Sequence, residues 1–466
     1  MSNSAKPDAL YDLVVVDAEV VNAGGRFHGS VGVRDGRIAA IADGPIAGRK
    51  TIDARGRYLL PGVVDAHCHF RISQGSGPDA IVSSDDYVIG PRAAAFGGVT
   101  TFIDFAIQPR GQSAIENLKS RIEEASAGSI IDFAFHCSLT DPSPEVLLEI
   151  DQIMDAGVCS FKFFMTYRKY GFFVDHGFLL EAMRRIGARK GVCAVHAEDD
   201  DLIEYWRSHY RRVGPNDMMN HSHSRPELAE ELAIRDAMRL SQDAAAELYV
   251  VHLSTRRGLA AIVDGRSAGV NVRAETCPHY LAFTHDVYAG ADARFFTMTP
   301  PLRADGNRQG LWEGVRSGSI EVIASDHNSF TRAQKEAGKS FLEIPPGIAG
   351  SEMLLPFVLS EGVNTGRIRI EDAVRLVCWN PARIYRLPAK GSIEVGKDAD
   401  MVLVDLEEER VMTDKMLHDP LSYTVFAGRR MRGWPIMTIS RGEVVIDGVE
   451  CRAEEGRGRF IARHAE

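Results

Sequence analysis

The chain has 466 residues, with 54 Lys and Arg against 64 Asp and Glu, a formal net charge of −10, and 45% hydrophobic residues. This composition is typical of a globular protein with a large core, and the length suits either two or three domains or one barrel with an accessory domain. The acidic balance, without a block rich in Lys or Arg, lacks the positive charge that neutralises phosphates, so we expect no DNA or RNA partner.

Targeting signals and membrane segments are absent from the sequence pattern. No uninterrupted apolar stretch approaches the roughly 20 residues that a membrane-spanning helix needs. Residues 1–8 are polar and show no signal-peptide pattern. The cysteines are odd in number and form no CxxC pair, as expected for reduced thiols; they are Cys68, Cys137, Cys159, Cys193, Cys277, Cys378 and Cys451. We therefore expect a cytoplasmic protein with no membrane partner.

Both ends of the chain show the pattern of short strands joined by tight turns. Residues 11–60 alternate apolar segments with glycines, and the same texture returns after Gly391, with a turn signal at Asp447-Gly448. Each piece alone is short for a stable core, so we expect one small β-sandwich built from both termini. The expected division is residues 1–60 and 386–466 for this sandwich and residues 61–385 for the central domain.

The central domain alternates apolar runs with amphipathic segments, which predicts an α/β fold with a parallel sheet. Eight such units fit a closed (β/α)8 TIM barrel better than an open sheet, and no Gly-rich nucleotide fingerprint follows the first run. The eight runs are LLPGVVDAHCHF, GVTTFIDFA, IDFAFHCSL, VCSFKFFM, GVCAVHAE, ELYVVHLS, VNVRAETCPHY and IEVIASDHNSF.

One helix start has a specific signal. Ser224 and Glu227 have the spacing of a capping box, and Pro226 lies in the predicted first turn. We expect a helix to begin there, and we expect His221 and His223, just before it, to be solvated.

Side chains that bind metals stand at the ends of several predicted barrel strands, where barrel proteins carry their functional sites. His67 and His69 are two residues apart on a strand, so they project to the same face and can bind one ion. A histidine pair alone is weak evidence. The recurrence of His196, His252 and Asp326 at the ends of three further strands predicts a metal site at this rim.

Lys162 is unusual because it lies inside the apolar run SFKFFM, where a charged amine pays a desolvation penalty unless it is paired or neutralised. Taken alone, it is most simply a lysine that extends its amine to the surface. Beside four imidazoles and a carboxylate, a neutral lysine could instead be converted to a carbamate whose two oxygens bridge two cations.

These motifs resemble the amidohydrolase superfamily and, within it, the cyclic amidohydrolases grouped around dihydropyrimidinase and hydantoinase. The resemblance covers nearly the whole chain and follows the family order of motifs. The matching segments are PGVVDAHCHF, GGVTTFIDFAIQP, SFKFFMTYRKYG, VHAED, YVVHLST, AETCPHYL, TPPLR, SDH and WNPARIYRLPAKGSIEVGKDADMVLVD.

The resemblance implies two zinc ions. One ion would be held by His67, His69, the carbamate of Lys162 and Asp326, and the other by the same carbamate, His196 and His252. It also implies a β-sandwich built from the two termini and a homo-oligomer, either a tetramer or a dimer.

The same resemblance implies a mechanism. A water that bridges two cations ionises near neutral pH and becomes a nucleophile that would attack the ring amide carbonyl. Asp326 would take its proton and return it to the leaving ring nitrogen. Tyr167 resembles the family tyrosine that donates to the oxyanion, and Thr299 stands where relatives often have a serine that contacts substrate.

Three departures from the hydantoinase pattern leave the substrate open. Arg71 completes a histidine–x–histidine–x–arginine arrangement that looks like dihydroorotase, whose arginine binds a substrate carboxylate. Pro346 stands where relatives often have an asparagine that contacts substrate through its backbone. The residues after His327 depart from the cysteine-proline continuation that is more usual in relatives, and the segment that begins at Gly350 has an allantoinase or dihydroorotase character.

Other candidate residues have simpler roles. We expect His136 to be a hydrogen-bonded structural histidine, His279 to order its loop, and Cys68 to face away from the metals and pack.

The sequence therefore predicts a cyclic amidohydrolase that opens hydantoins or dihydropyrimidines to N-carbamoyl amino acids. The alternatives are a dihydroorotase, an allantoinase, or a non-catalytic scaffold of the dihydropyrimidinase-like kind that assembles without metal.

Overall fold

The structure, a computed structural model, describes residues 10–74 and 80–464; the polar residues 1–8 lie outside this part of the chain. The strands are β1 (Tyr11–Asn22), β2 (Gly25–Arg34), β3 (Arg37–Ala42), β4 (Gly48–Asp53), β5 (Tyr58–Pro61), β6 (Val63–Cys68), β7 (Ser73–Gln74), β8 (Ile81–Val82), β9 (Val99–Ile107), β10 (Asp132–Ser138), β11 (Ser160–Phe164), β12 (Val192–His196), β13 (Glu247–Val250), β14 (Val272–Thr276), β15 (Val322–Ile323), β16 (Met401–Val411), β17 (Arg430–Ser440), β18 (Glu443–Asp447) and β19 (Glu450–Cys451).

The α-helices are α1 (Ile89–Phe96), α2 (Ala114–Gly128), α3 (Pro144–Asp155), α4 (His176–Ala188), α5 (Asp200–Val213), α6 (Met219–His223), α7 (Glu227–Asp243), α8 (Arg256–Ser267), α9 (Pro278–Ala282), α10 (Asp305–Ser317), α11 (Arg332–Ala337), α12 (Leu354–Phe357), α13 (Ile370–Val374) and α14 (Asn380–Ile384). Two π-helical stretches, Val358–Val363 and Arg375–Trp379, extend α12 and join α13 to α14. Within the described chain, no helix combines the length and the apolar character that crossing a bilayer requires.

The central domain is the predicted barrel. Its eight strands follow one another in the order β6, β9, β10, β11, β12, β13, β14 and β15, all paired in parallel, and each of them overlaps one of the eight apolar runs. The ring closes where the His69 amide donates to the carbonyl of His327 at 2.7 Å. Every residue of β6, β10, β11 and β12 is buried, as expected for parallel strands covered by helices.

The two termini build one separate sheet, as predicted. Its strand order is β19, β18, β17, β16, β5, β1, β2 and β3, and β4 also pairs with β1. Strand β5 joins the two ends of the chain, because it pairs with β1 on one side and places Leu59 opposite Leu403 of β16 on the other. Val15, Val31 and Met401 belong to one buried cluster of this sheet. We propose that the boundaries between the terminal domain and the central domain lie at residues 60 and 385.

A buried ion cluster ties the terminal sheet to the barrel. The amine of Lys390 lies 2.7 Å from Asp132 of β10, 3.0 Å from Asp398 and 2.6 Å from Asp400. Burial lowers the pKa of Lys390, but the three carboxylates raise it by more, so the lysine stays charged. Lys390 thus links strand β10 of the barrel to the residues that lead into β16 of the terminal sheet.

The last described residues close the amino-terminal end of the barrel. The amide of Phe133 in β10 donates to the carbonyl of Arg459 at 3.0 Å, and the Ile461 amide donates to the carbonyl of Phe133 at 2.8 Å. Arg463 is buried, and its guanidinium donates to the carbonyl of Phe135. The tail therefore pairs along β10 as a short extra strand.

The predicted capping box at the start of α7 is wrong. The helix begins at Glu227 with Pro226 at the N-cap position and no side-chain cap. The Ser224 hydroxyl donates instead to the carbonyl of His221, at 3.2 Å, because α6 ends at this point and offers an unpaired acceptor.

Candidate active site

The structure brings the six predicted metal ligands to the carboxyl-terminal rim of the barrel. His67, Lys162 and His196 lie on β6, β11 and β12, whereas His69, His252 and Asp326 come just after their strands. Five of the six line one cavity of about 350 Å³. The exception is His67, whose ring centroid lies 5.1 Å from that of His69.

The first group of donor atoms surrounds a single point. The His67 Nε2 lies 3.1 Å from Asp326 Oδ1 and 3.2 Å from the His69 Nε2, and the His69 Nε2 lies 3.5 Å from the same Oδ1. All three residues offer a ligand atom within 4.8 Å of one another. Lone pairs of two imidazoles and a carboxylate converge here, which is the donor set that Zn²⁺ accepts.

Glu275, at the end of β14, orients this group. Its carboxylate is hydrogen bonded to the Nδ1 of His67, to the Tyr249 hydroxyl at 2.8 Å and to the His252 amide at 3.2 Å. Burial lowers the pKa of His67, but Glu275 and Asp326 raise it to about 9, so the ring is protonated; a cation that binds Nε2 would displace the proton there, while Glu275 holds the proton on Nδ1. The sequence analysis missed Glu275, although a carboxylate inside a buried barrel strand was a signal.

His196 and His252 form a second pair, with ring centroids 4.4 Å apart. The His196 Nε2 lies 2.7 Å from Glu198, so its Nδ1 is the nitrogen that can bind a cation. Burial is the main cause that lowers the pKa of His196 to about 4 and that of His252 well below its usual value, so both rings are neutral. Neutral imidazole is the form that binds metals.

Lys162 is fully enclosed between these two groups. It is 1% exposed, and its amine lies 5.3 Å from the Phe105 ring centroid and 5.5 Å from that of Phe164. Burial lowers the pKa of Lys162 to about 7, against the opposing effect of Glu275 and Asp326. A substantial fraction of the amine is therefore uncharged near neutral pH, which is the form that can take up CO₂.

Tyr167 and Thr299 lie together on the cavity wall, where their hydroxyls share a hydrogen bond. The Tyr167 ring centroid lies 5.0 Å from that of His196, and the Arg225 guanidinium lies 5.3 Å from the Tyr167 ring. Burial raises the pKa of Tyr167, so its hydroxyl remains a donor.

An ion pair supports the second histidine pair from below. Arg225 Nε donates to Glu198 at 3.0 and 3.1 Å, and both residues are fully buried. Burial raises the pKa of Glu198, but Arg225 and His196 lower it by more, to well below the usual range. The carboxylate that contacts His196 is therefore ionised. The sequence analysis assigned no role to Arg225, whose partner is distant in the chain.

Three of the site residues have a left-handed backbone. The φ angles are 69° for Tyr167, 37° for His252 and 46° for Asp326. Such conformations cost about 1–3 kcal/mol each in non-glycine residues and are concentrated at functional sites, where the surrounding structure holds them.

Arg71 does not join the other predicted site residues. It is half exposed, its guanidinium lies 2.8 Å from Glu124, and it is not among the described residues that line the cavity. The structure thus gives this arginine a partner on α2 rather than a place beside the substrate.

The remaining histidines divide into two kinds. His136 is hydrogen bonded to Ser160 at 2.6 Å and to the carbonyl of Ala66 at 3.0 Å, which confirms its structural role. His221, expected to be solvated, is 3% exposed and lines the cavity, so that prediction is wrong; His223 is exposed. The His221 Nε2 donates a hydrogen bond to the carbonyl of Met298 at 2.8 Å.

Two further donors lie beside Asp326. Cys277 and His279 offer ligand atoms within 4.8 Å of the Asp326 carboxylate, and the His279 Nε2 is buried with no hydrogen-bond partner in the described part of the chain. The Cys68 thiol points to the carbonyl of Ile103, 3.7 Å away, which confirms its packing role.

Outside the polar centre, the cavity is apolar enough to hold a small organic ring. The apolar residues that line it are Ile72, Ile81, Ile107, Phe164, Phe172, Met298, Phe341, Leu342, Ile344, Pro345 and Pro346. A few convergent polar groups in an otherwise apolar pocket are typical of small-molecule sites.

Comparison with known proteins identifies the family of the chain. Residues 58–445 match the Amidohydrolase family. The chain belongs to this family. It is 34% identical to the D-hydantoinase of Ralstonia pickettii, over 97% of this chain and 99% of that protein. It is 36% identical to the D-hydantoinase of Streptomyces coelicolor, over 95% and 96% of the two chains.

Solved structures of this amidohydrolase family share the fold. The crystal structure of a dihydropyrimidinase from Brevibacillus agri matches with a TM-score of 0.94 and 32% identity, covering 97% of this chain and 98% of that one. The barrel, the terminal sheet and their connection are therefore common to both chains.

Proposed function

We propose that this amidohydrolase opens the ring of a hydantoin or a dihydropyrimidine by hydrolysis of a ring amide, giving an N-carbamoyl amino acid. The observation that supports this proposal most is the convergence of His67, His69 and Asp326 on one point, next to the enclosed Lys162 and at the base of an apolar cavity. Relatives named hydantoinases, similar over the whole chain, support the same reaction.

The donor set fits two zinc ions. We propose that the first is held by His67, His69 and Asp326 and the second by His196 and His252, with the carbamate of Lys162 shared between them. Such ions polarise a carbonyl and lower the pKa of water to about 7. Among the described residues the Nδ1 of His252 has no hydrogen-bond partner, which leaves this nitrogen free to bind a cation.

Asp326 is suited to move the proton. Burial raises the pKa of Asp326, but the histidines around it, His67 first, lower it well below its ordinary value, so the carboxylate is ionised. In our proposal it accepts a proton from the attacking water and donates it to the departing ring nitrogen. Asp326 lines the cavity, so its carboxylate can reach a bound substrate in both steps.

Tyr167 supplies the donor for the charge that develops on the ring carbonyl oxygen. Its hydroxyl is protonated and is held by Thr299, and its ring is held between His196 and Arg225. A donor fixed before the reaction needs no rearrangement as negative charge forms, which favours the transition state over the ground state. We propose that Thr299 also contacts the substrate directly.

Chelation and a substrate panel test this function. We expect purified protein to open hydantoin or dihydrouracil, to lose this activity after treatment with a chelator, and to regain it when zinc is restored. Loss of ultraviolet absorbance on ring opening gives the rate, and circular dichroism checks that the chelated protein stays folded. Zinc-loaded, folded protein that opens no ring in the panel would contradict the proposal.

Two alternatives remain within the same panel. Dihydroorotate and allantoin test the dihydroorotase and allantoinase hypotheses, for which the segment that begins at Gly350 gives a signal. A folded protein without metal and without turnover would favour a non-catalytic scaffold. We also propose a dimer or tetramer, which sedimentation of the purified protein measures.

A further inference from the structure

The cavity wall contains a buried guanidinium that the proposed reaction does not use. Arg207 of α5 is 6% exposed and lines the same cavity as Tyr167 and Asp326. Its Nη2 donates to the Tyr170 hydroxyl at 3.4 Å, and its Nε has no hydrogen-bond acceptor among residues 10–74 and 80–464. A guanidinium carries five N–H donors, so most of its hydrogen-bonding capacity is unused here.

The charge of Arg207 is also poorly balanced. The neighbouring cation, Arg225, has a fully buried carboxylate partner in Glu198. The acidic residue that the structure pairs with Arg207 is Glu204, 3.7 Å from its Nε and with a side chain 38% exposed, which is a weak and partly screened pair. Burial and then Arg225 both disfavour this charge, lowering the pKa of Arg207.

Other groups on the cavity wall do not offset this cation. Asp326 belongs to the proposed metal ligands, and Glu343 is exposed and accepts a hydrogen bond from the Lys339 amide at 3.0 Å. His221 is neutral, because burial lowers its pKa to about 3. A buried cation without a close anion is costly, and an anionic ligand group would remove that cost.

Arg207 lies along an aromatic wall that leads away from the proposed metal ligands. The Tyr167 ring centroid is 5.0 Å from that of His196 and 6.2 Å from that of Tyr170, whose hydroxyl contacts Arg207. A ring amide bound at the histidines would therefore direct a substituent of the ring along this wall, with its far end near the guanidinium.

We infer that Arg207 is a specificity-determining residue that binds a carboxylate at the end of a ring substituent. The substrate class is then a hydantoin or dihydropyrimidine that carries an acidic side chain. Planar guanidinium and carboxylate groups form paired, charge-assisted hydrogen bonds, which a neutral amide of the same shape cannot match. This inference rests on the proposed ring-opening function and deepens it.

A pair of matched substrates tests the inference. One is hydantoin with a 2-carboxyethyl group on its ring carbon, and the other carries a 2-carbamoylethyl group, which has nearly the same shape without the charge. We expect the unchanged protein to prefer the acid by about 10- to 100-fold in kcat/KM, the value of a charge-assisted hydrogen bond. The preference should lie mainly in KM, because the carboxylate is remote from the reacting amide.

Variants at position 207 separate this role from a structural one. In Arg207→Met the ratio of the two kcat/KM values should fall close to one, and Arg207→Lys should retain part of it, because lysine keeps the charge without the planar fork. The matched control is Arg211→Met, an exposed arginine on the same helix, which should keep the full preference. Comparing two substrates within one variant cancels any general loss of folding or metal.

The outcomes distinguish the inference from the proposed function. The role of Arg207 is overturned if the unchanged protein opens both rings equally well or prefers the amide. It is also overturned if the Arg207→Met variant keeps the preference for the acid. In each case the ring-opening function stands. If neither ring is opened, calorimetric titration with the same two hydantoins decides on Arg207, and the proposed function fails only if no ring of the substrate panel is opened either. Binding of the acid that is lost in Arg207→Met supports the inference, and equal or absent binding of the two compounds overturns it.

Discussion

Lys162 shows how strongly a single position can depend on its surroundings. Its amine is enclosed by the Phe105 and Phe164 rings, and the proposed carbamate would turn a costly buried cation into an anion that the site can use. The side chain therefore has a chemical role only as part of the whole ligand set.

We expect Lys162→Ala to lower ring-opening activity by at least about 100-fold, because it removes the shared ligand of both proposed ions. Short carboxylic acids such as acetate or propionate should restore part of the activity, since a carboxylate can occupy the place of the carbamate. Turnover and bound zinc, with and without added acid, are the measurements. Lys119→Ala, an exposed lysine on α2, is the control. An unaffected rate in Lys162→Ala contradicts the carbamate role.

The sequence pattern identifies the residues that we propose as metal ligands, but it does not identify the residues that support them. His67, His196 and Asp326 are recognisable because each follows an apolar run that had to be a barrel strand. Glu275 and Arg207 gain their meaning only from partners distant in the chain, and His221 is buried by the loop that contains Met298. Spacing in a sequence does not encode such contacts.

At the scale of elements, the barrel strands were easy to predict because both of their faces are buried, which produces continuous apolar runs. The start of α7 was harder, since the Ser224 hydroxyl had two acceptable partners and took the carbonyl of the preceding helix. The pairing of β5 with β16 was predicted only in outline, because the register depends on side chains that meet across the sheet.

The contact of β10 with the terminal sheet gives a stability prediction. We expect Lys390→Met to reduce the free energy of unfolding by about 3–5 kcal/mol, because it leaves the buried Asp400 without a side-chain cation and leaves Asp132 with Arg441 alone. Differential scanning calorimetry measures the change in melting temperature. Lys119→Met serves as the exposed control, and a melting temperature equal to that of the unchanged protein would show that the cluster adds nothing.

At the scale of the whole molecule, the tail acts as part of the barrel. We expect truncation after Gly456 to reduce the free energy of unfolding by at least about 3 kcal/mol, because it removes backbone hydrogen bonds to β10 and uncovers apolar surface. Thermal unfolding and aggregation of the truncated chain are the measurements. The control is Arg459→Ala, an exposed substitution in the same tail, and equal stability of the truncated and full chains would contradict this role.

The pairing of Leu59 with Leu403 also has a consequence for biosynthesis. A ribosome adds roughly 5–20 residues per second, so β5 leaves the exit tunnel tens of seconds before its partner exists. During that time β5 presents an open apolar edge to other nascent chains, because its other neighbour, β1, is already paired. Production of this protein should therefore depend on chaperones that shield such an edge, and slowing translation in the middle of the message should lengthen its exposure.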